Sequence, residues 1–159
     1  MIPLPKIIQQ QDAFIKAIYR TDFSWSHQHT GKVISISGNR QGFLSLANAL
    51  LFYMEESDDS EFFINDIPFV EMPSGISVKI IIDPVPDNKN VENMGNITTQ
   101  DEINFVWELP ENNFYIVVAE ILSLGLVSQI DHLHVDHGVS KDGISIYCEI
   151  DEKYEDCKR

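Results

Sequence analysis

Basic residues are scarce in this sequence of 159 residues, in which 11 Lys and Arg stand against 25 Asp and Glu and give a net charge of −14. Over residues 41–152 the basic residues are only Lys79, Lys89 and Lys141. Such a surface repels phosphate backbones and anionic lipids, so we expect neither a nucleic-acid partner nor a membrane partner. It attracts basic proteins, although solubility alone is the other explanation of the charge.

Cysteines, long apolar runs and a leader-like start are also missing. Cys148 and Cys157 are the only cysteines, too few for a disulfide framework, which favours a reducing compartment. No run of about 18 apolar residues could span a membrane. Residues 1–11 lack a basic segment followed by an apolar one, so no secretory signal is indicated. We therefore expect a cytoplasmic protein.

The apolar pattern predicts a strand, a helix and two further strands in the first half of the chain. Residues 32–37 alternate apolar and polar side chains, as a half-buried strand does. Between Phe43 and Met54 the apolar residues recur at helical spacing. Short strands follow at residues 61–65 and 76–82.

The same pattern returns at a shift of 71 residues, which falls to 68 at the last strand. Phe105 then falls on Ile34, and the apolar positions of the second helix follow in register. We predict that residues 32–83 and 103–151 are two copies of one unit. A chance agreement between two unrelated segments is the alternative.

These elements predict one domain over residues 1–159, of the α+β class. We expect two tandem strand-helix-strand-strand units whose helices pack on a mostly antiparallel sheet. Residues 84–102, rich in Pro, Asn and Asp, are typical of a linker. Residues 1–31 are expected to form a helical N-terminal segment, with the helix over residues 9–20. The pattern fixes neither the sheet order nor the oligomeric state.

One local cluster has the residue types of a metal site, namely His132, His134 and Asp136. On a strand these side chains would share one face, where two imidazoles and a carboxylate could hold zinc or iron. A metal-dependent enzyme that uses them is therefore one alternative. The corresponding strand of the first unit, residues 61–65, has no such set. We accordingly expect no catalytic residues, no metal and no cofactor.

The turn over residues 38–42 is glycine-rich and precedes a helix, where backbone amides can hold phosphate. It lacks both the G-x-G-x-x-G and the G-K-[ST] pattern. Asn39 is a favourable N-cap residue, and Pro110 is expected at the first position of the second helix. A structural role therefore accounts for this turn.

A dense acidic run follows the first predicted helix. It consists of Glu55, Glu56, Asp58, Asp59 and Glu61. A solvated loop is one explanation, and a docking patch for a basic partner is the other. Tight binding would also need exposed aromatic anchors, for which Phe63 and Tyr115 are the candidates.

Residues 36–48 resemble a stretch of bacterial polymorphic-toxin and contact-dependent inhibition immunity proteins. In those proteins a strand is followed by G-N-x-x-G-[LF]-x-x-L-A, an amphipathic helix and short strands. The matching residues here are Gly38, Asn39, Gly42, Phe43, Leu46 and Ala47. The resemblance extends to Asp83, but the His-rich strand of the family is replaced by Glu-Phe-Phe-Ile at residues 61–64.

The resemblance implies a cytoplasmic protein that binds and blocks a cognate toxin domain, often a basic nuclease, and it implies no catalytic residues. The sequence therefore predicts an immunity protein, not an enzyme, that neutralises a basic toxin domain through an acidic surface. A metal-dependent enzyme and a non-inhibitory adaptor protein are the alternatives.

Overall fold

The computed structural model describes residues 3–6, 8, 12–26, 29–84, 95–135, 143–151 and 153. It has an α+β fold in which two helices pack against two mixed sheets, which confirms the predicted class. The strands are β1 (Ile15–Ser26), β2 (His29–Gly38), β3 (Glu61–Phe63), β4 (Val70–Glu71), β5 (Ser77–Asp83), β6 (Asn96–Thr99), β7 (Asn104–Pro110), β8 (His132–His134) and β9 (Ser145–Ile150). The helices are α1 (Arg40–Glu56) and α2 (Glu111–Leu126).

The strands form two sheets rather than the single, mostly antiparallel sheet that the sequence predicted. The first sheet has the order β4-β1-β2-β9-β8 and the second has the order β3-β5-β7-β6. β2 pairs in parallel with β9, and β5 pairs in parallel with β7. The strand before each helix thus lies in one sheet and the strands after it lie in the other, except for β4, which follows α1 and lies in the same sheet as β2. Local patterns do not encode such pairings, because the partners are far apart in sequence.

Each proposed copy begins with a strand, a helix and a strand, but three strands follow the helix of the first copy and two follow the helix of the second. Residues 32–83 contain β2, α1, β3, β4 and β5, and residues 103–151 contain β7, α2, β8 and β9. Whether the two stretches superpose as copies of one unit stays a prediction.

The predicted N-terminal helix is wrong, because residues 15–26 form strand β1 instead. Ile15 and Ala17 are buried and face the core, whereas Lys16 between them is partly exposed. The apolar residues near the start of β1 also fit helical spacing, so the pattern alone was ambiguous. Antiparallel pairing with β2 decides for the strand.

The predicted linker over residues 84–102 contains the short strand β6, which pairs antiparallel with β7. Only Ile97 of β6 is buried, and it lies opposite the buried Trp107. A strand with a single core residue among polar neighbours gives almost no periodic signal.

One apolar core joins both sheets and both helices. Its side chains come from the buried alternating positions of the strands and from the buried apolar faces of the two helices. The largest side chains among its fully buried members are Trp107, Phe43, Phe105 and Phe114. Burial of these aromatic and aliphatic groups is the main force that holds the fold together. In the described residues neither helix has the length and apolar composition of a membrane-crossing segment.

The two helices lie side by side and run antiparallel. Near the start of α1, Leu44 lies so close to Gly125 of α2 that a Cβ at Gly125 would be 2.5 Å from the Leu44 Cγ atom. At the other end, the Tyr115 hydroxyl of α2 lies 3.8 Å from the Met54 sulfur of α1. The end of α1 therefore lies beside the start of α2.

Candidate functional site

The structure places His132 and His134 on β8, with ring centroids 6.1 Å apart. The His132 Nδ1 atom lies 2.7 Å from the Asp131 carboxylate, and this hydrogen bond lowers the pKa of Asp131. The His134 ring packs 5.1 Å from the ring of Tyr147. Asp136, the third proposed ligand, lies outside the described residues.

The described part of the chain contains no group of three or more His, Cys, Asp or Glu side chains placed to hold a metal ion. Tyr147 instead donates a hydrogen bond to Glu149 over 3.4 Å. Burial, followed by the charge of Glu149, raises the pKa of Tyr147 to about 12. Burial also raises the pKa of the fully buried Cys148 thiol, which is therefore a poor nucleophile. The metal-dependent enzyme stays a hypothesis that would need Asp136.

The glycine-rich turn is occupied by the protein's own chain. The Asn39 Oδ1 atom accepts hydrogen bonds from the Gly42 amide at 2.7 Å and from the Phe14 amide at 3.1 Å. A Cβ at Gly42 would lie 2.2 Å from the Phe14 carbonyl oxygen. Asn39 is thus the N-cap of α1 and holds the start of β1 against it. Pro110 is also a cap residue, one position earlier than expected, and α2 begins at Glu111.

Arg40 binds the end of α2, a role that the sequence did not reveal. Its guanidinium donates four hydrogen bonds of 2.8 to 3.1 Å to backbone carbonyls. The acceptors are Leu124, Val127, Ser128 and Ile130. A cation at this end satisfies carbonyls that lack helical partners and opposes the negative end of the helix dipole. No local pattern marks this role, because the acceptors are distant in sequence.

The acidic run lies where α1 ends. Glu55 and Glu56 belong to the last turn of the helix, and Asp58 and Asp59 belong to the short 3-10 turn that follows. These four side chains are exposed, and the ion pairs of the described residues include none of them. Glu61 differs, because it begins β3 and binds Lys79 at 2.9 Å.

The negative charge at this position is reinforced by the backbone. The last turn of α1 has no basic residue, and the carbonyls at a helix C-terminus carry a partial negative charge. Carboxylates placed there repel the helix end as well as each other. The end of α1 is therefore a region of concentrated negative potential.

Both aromatic residues proposed as anchors are exposed and adjoin the acidic run. Tyr115 is 44% exposed, and burial of its hydroxyl, followed by the charges of Glu111 and Glu55, raises its pKa. Phe63 is 39% exposed and lies under the Lys79 ammonium, 5.8 Å from the ring centroid. Tyr115 thus lies beside Glu55 of the acidic run, and Phe63 lies beside Lys79, which binds Glu61 of the run.

A row of aromatic contacts connects the exposed ring of Tyr115 to the apolar core. The neighbouring ring centroids are 5.8 to 6.4 Å apart. The row runs through Tyr53, Phe62, Phe114 and Tyr115. Because three of these rings are buried, the exposed ring of Tyr115 is held by the core rather than by a loop.

A second acidic feature, missed from the sequence, lies on the outer face of the second sheet. There the charge of Asp83, followed by burial, raises the pKa of Glu108. Ile81 lies between Glu61 and Glu108 in the sheet register. The acidic surface therefore continues from the acidic run across the strands, and only the register brings these carboxylates together.

Comparisons of the chain with protein-family models, with curated protein sequences and with solved structures give no match. The resemblance of residues 36–48 to immunity proteins therefore stays a hypothesis.

Proposed function

We propose that the protein is a cytoplasmic immunity protein, which binds a basic toxin domain through the acidic end of α1 and so neutralises it. The observation that carries the proposal is the set of four exposed carboxylates at a helix C-terminus, which the described residues leave without an ion pair. Their mutual repulsion destabilises the free protein. A cationic partner relieves this repulsion, so the cost becomes part of the driving force for binding.

The same charge speeds the encounter of the two proteins. A net charge of −14 attracts a basic domain over the Debye length, about 8 Å at physiological salt, and raises the association rate. Charge alone does not hold a complex, since rim charges contribute little to affinity. Exposed aromatic groups beside the run, of which Tyr115 is the best supported by the core, supply apolar contact area.

Inhibition rather than simple docking is supported by the resemblance of residues 36–48 to immunity proteins. A preformed acidic surface that covers the substrate groove of a basic nuclease would exclude the nucleic acid, because both compete for the same cations. A non-inhibitory adaptor would bind its partner and leave that partner active.

The direct test uses the protein encoded by the gene immediately upstream. We expect this protein to arrest growth when it is expressed alone in a bacterial host and to be harmless when the present chain is co-expressed. Size-exclusion chromatography should show a stable complex of the two. Binding without rescue of growth would make the protein an adaptor, and no binding would contradict the proposal.

The electrostatic part is tested by stopped-flow association across a range of salt concentrations. Changing Glu55, Glu56, Asp58 and Asp59 to their amides should lower the association rate about tenfold at low salt. The matched control changes an equal number of carboxylates on or next to strands of the first sheet, outside the acidic run and the second sheet. These are Glu71, Asp131, Glu149 and Asp151. Equal effects of the two sets would show that only net charge matters, and a rate that is flat with salt would show that charge does not steer.

A further inference from the structure

The outer face of α2 carries exposed apolar side chains over most of its length. Leu126 is 66% exposed, Tyr115 44% and Ile116 40%. Ala119 is exposed between them and Leu122 is half-buried. Apart from the adjacent Tyr115 and Ile116, these positions recur at intervals of three or four residues, so they line one side of the helix over about three turns. We call these five residues the α2 stripe.

The protein's own fold does not require an apolar side chain at every position of the α2 stripe. At the shift of 71 residues, Ala119 corresponds to Asn48 of α1 and Leu126 corresponds to Glu55. Both α1 residues are exposed, as their α2 counterparts are. At these two of the five positions, the matching surface of α1 thus carries exposed polar side chains. Contiguous apolar exposure that packing does not demand marks an interaction surface.

The charge around the stripe selects the kind of occupant. The two helices and the chain from Ser57 to Glu61 contain seven carboxylates and one cation, Arg40. The carboxylates are Glu55, Glu56, Asp58, Asp59, Glu61, Glu111 and Glu120. Arg40 is engaged with the carbonyls at the end of α2. A second copy of this chain would bring the same negative charge to the contact, and like charges across an interface oppose association.

The stripe is continuous with the acidic run. The Tyr115 hydroxyl lies 3.8 Å from the Met54 sulfur, and the Glu55 charge contributes to the raised pKa of Tyr115. An occupant that covers Tyr115 therefore places its neighbouring side chains among the carboxylates of the run. Apolar side chains flanked by Lys or Arg are complementary to both parts of the surface.

We propose that the toxin partner docks an amphipathic basic segment along α2, with its apolar side chains on the α2 stripe and its cations on the acidic run. This inference rests on the proposed function and divides the interface into two parts. The acidic run sets the association rate, whereas the stripe holds the bound partner and sets the dissociation rate. Tyr115, which lies where the two parts meet, contributes to both.

The test measures binding of the protein encoded by the gene immediately upstream to the full chain. The variant Ile116→Gln with Leu126→Gln removes apolar contact and leaves the net charge unchanged. We expect dissociation at least about tenfold faster, with little change in the association rate or in its salt dependence. Both positions are exposed, so circular dichroism and the thermal midpoint should match those of the wild type.

The matched control is Ile103→Gln, which removes an equally apolar side chain that is 53% exposed in the turn before β7, outside the helical layer. Its dissociation rate should stay within about twofold of the wild type. Equal rates for the stripe variant and the control would overturn the inference while the proposed function stands. A wild-type chain that does not bind this protein would overturn both. A wild-type homodimer in sedimentation, dispersed by the stripe variant, would make a second copy the occupant and also overturn the inference.

Discussion

The two ends of the layer formed by α1 and α2 differ in what binds the backbone groups of the helix termini. At one end, the start of α1 is capped by Asn39 and the end of α2 is bound by Arg40, so the backbone groups there have internal partners. At the other end, α1 finishes in exposed carboxylates and α2 begins after Pro110 without a side-chain cap. Antiparallel packing thus gives the layer one end whose helix termini are bound by side chains, which we call the satisfied end, and one end whose termini lack a side-chain cap or a basic residue, which we call the unsatisfied end. One end of the layer is thus arranged for stability, and the other end leaves its charge for a partner.

The largest effect should come from Asn39→Ala at the satisfied end. The substitution removes the cap of α1 and leaves the Phe14 amide and the Asp12 carbonyl without their hydrogen-bond partner. We expect the free energy of unfolding to fall by about 3 kcal/mol, because Asn39 is buried and several hydrogen bonds are lost together. Urea denaturation followed by circular dichroism measures this change.

The control for this substitution is Pro110→Ala at the start of α2, where no side-chain cap exists. Its cost should stay below about 1 kcal/mol. Similar costs for the two substitutions would show that the two helix starts are equally important, and the contrast between the ends of the layer would then be wrong.

The next largest effect should come from Arg40→Ala, which removes the guanidinium donor from four carbonyls at and just after the end of α2. Of these carbonyls, that of Val127 keeps a donor in the Ile130 amide. We expect a loss of about 2 kcal/mol in the free energy of unfolding. Arg40→Lys should restore only part of it, because an ammonium cannot reach the acceptors of a planar guanidinium. The neighbouring Gln41→Ala is the control and should change little. Full recovery with lysine would mean that charge, not hydrogen-bond geometry, holds this end.

A smaller effect of opposite sign is expected at the unsatisfied end. Changing Glu55, Glu56, Asp58 and Asp59 to their amides relieves repulsion at the end of α1 and should raise the free energy of unfolding by about 1 kcal/mol at low salt. The gain should disappear in concentrated salt, which screens exposed charges. Chemical denaturation at two salt concentrations tests this prediction. A loss of stability would show that the carboxylates support the fold rather than oppose it.

The smallest effect is acid-dependent and lies outside both ends of the layer, in the turn between β6 and β7. The Asp101 carboxylate accepts hydrogen bonds from the amides of Ile103 and Asn104, and the Asn104 amide bond is the main cause that lowers its pKa to about 2. Because the folded pKa lies below the unfolded value of about 4, this contribution to stability is complete above pH 4 and is lost as the pH falls towards 2.

Asp101→Asn should therefore flatten the pH dependence of unfolding between about pH 4 and pH 2 without changing the binding of a partner. Side-chain NMR titration measures the pKa itself. A carboxyl of Asp101 that titrates near 4 would remove this contribution.

Local patterns in the sequence were sufficient for both helices and for most strands, because each presents a periodic apolar face to the core. They failed for β1, whose apolar residues fit either period until β2 pairs with it. They also failed for β6, which buries only Ile97, and for the two-residue strand β4. These failures have one cause, since strand pairing is a long-range interaction and the residues of a strand indicate it only weakly.

The candidate site could likewise be predicted from the sequence only in part. The exposure of the acidic run could be predicted, because dense carboxylates are not buried without partners. Its position beside Tyr115 could not, since that depends on how α1 and α2 pack. The Arg40 contacts and the carboxylates of Asp83 and Glu108 were missed for the same reason. Residue type predicted the chemistry, and only tertiary structure predicted the neighbours.

The pairing of β2 with the distant strand β9 has a consequence for folding kinetics. β2 lies at the centre of the first sheet, and its partner β9 is made roughly a hundred residues later in synthesis. Pairings between strands that are distant in sequence form slowly, because the entropy cost of closing the long loop comes before the stabilising contacts are made. Until β9 arrives, β2 exposes an unpaired edge of the kind that recruits strands from other chains. A nascent or truncated chain that lacks β9 should therefore aggregate even though both of its helices are already encoded.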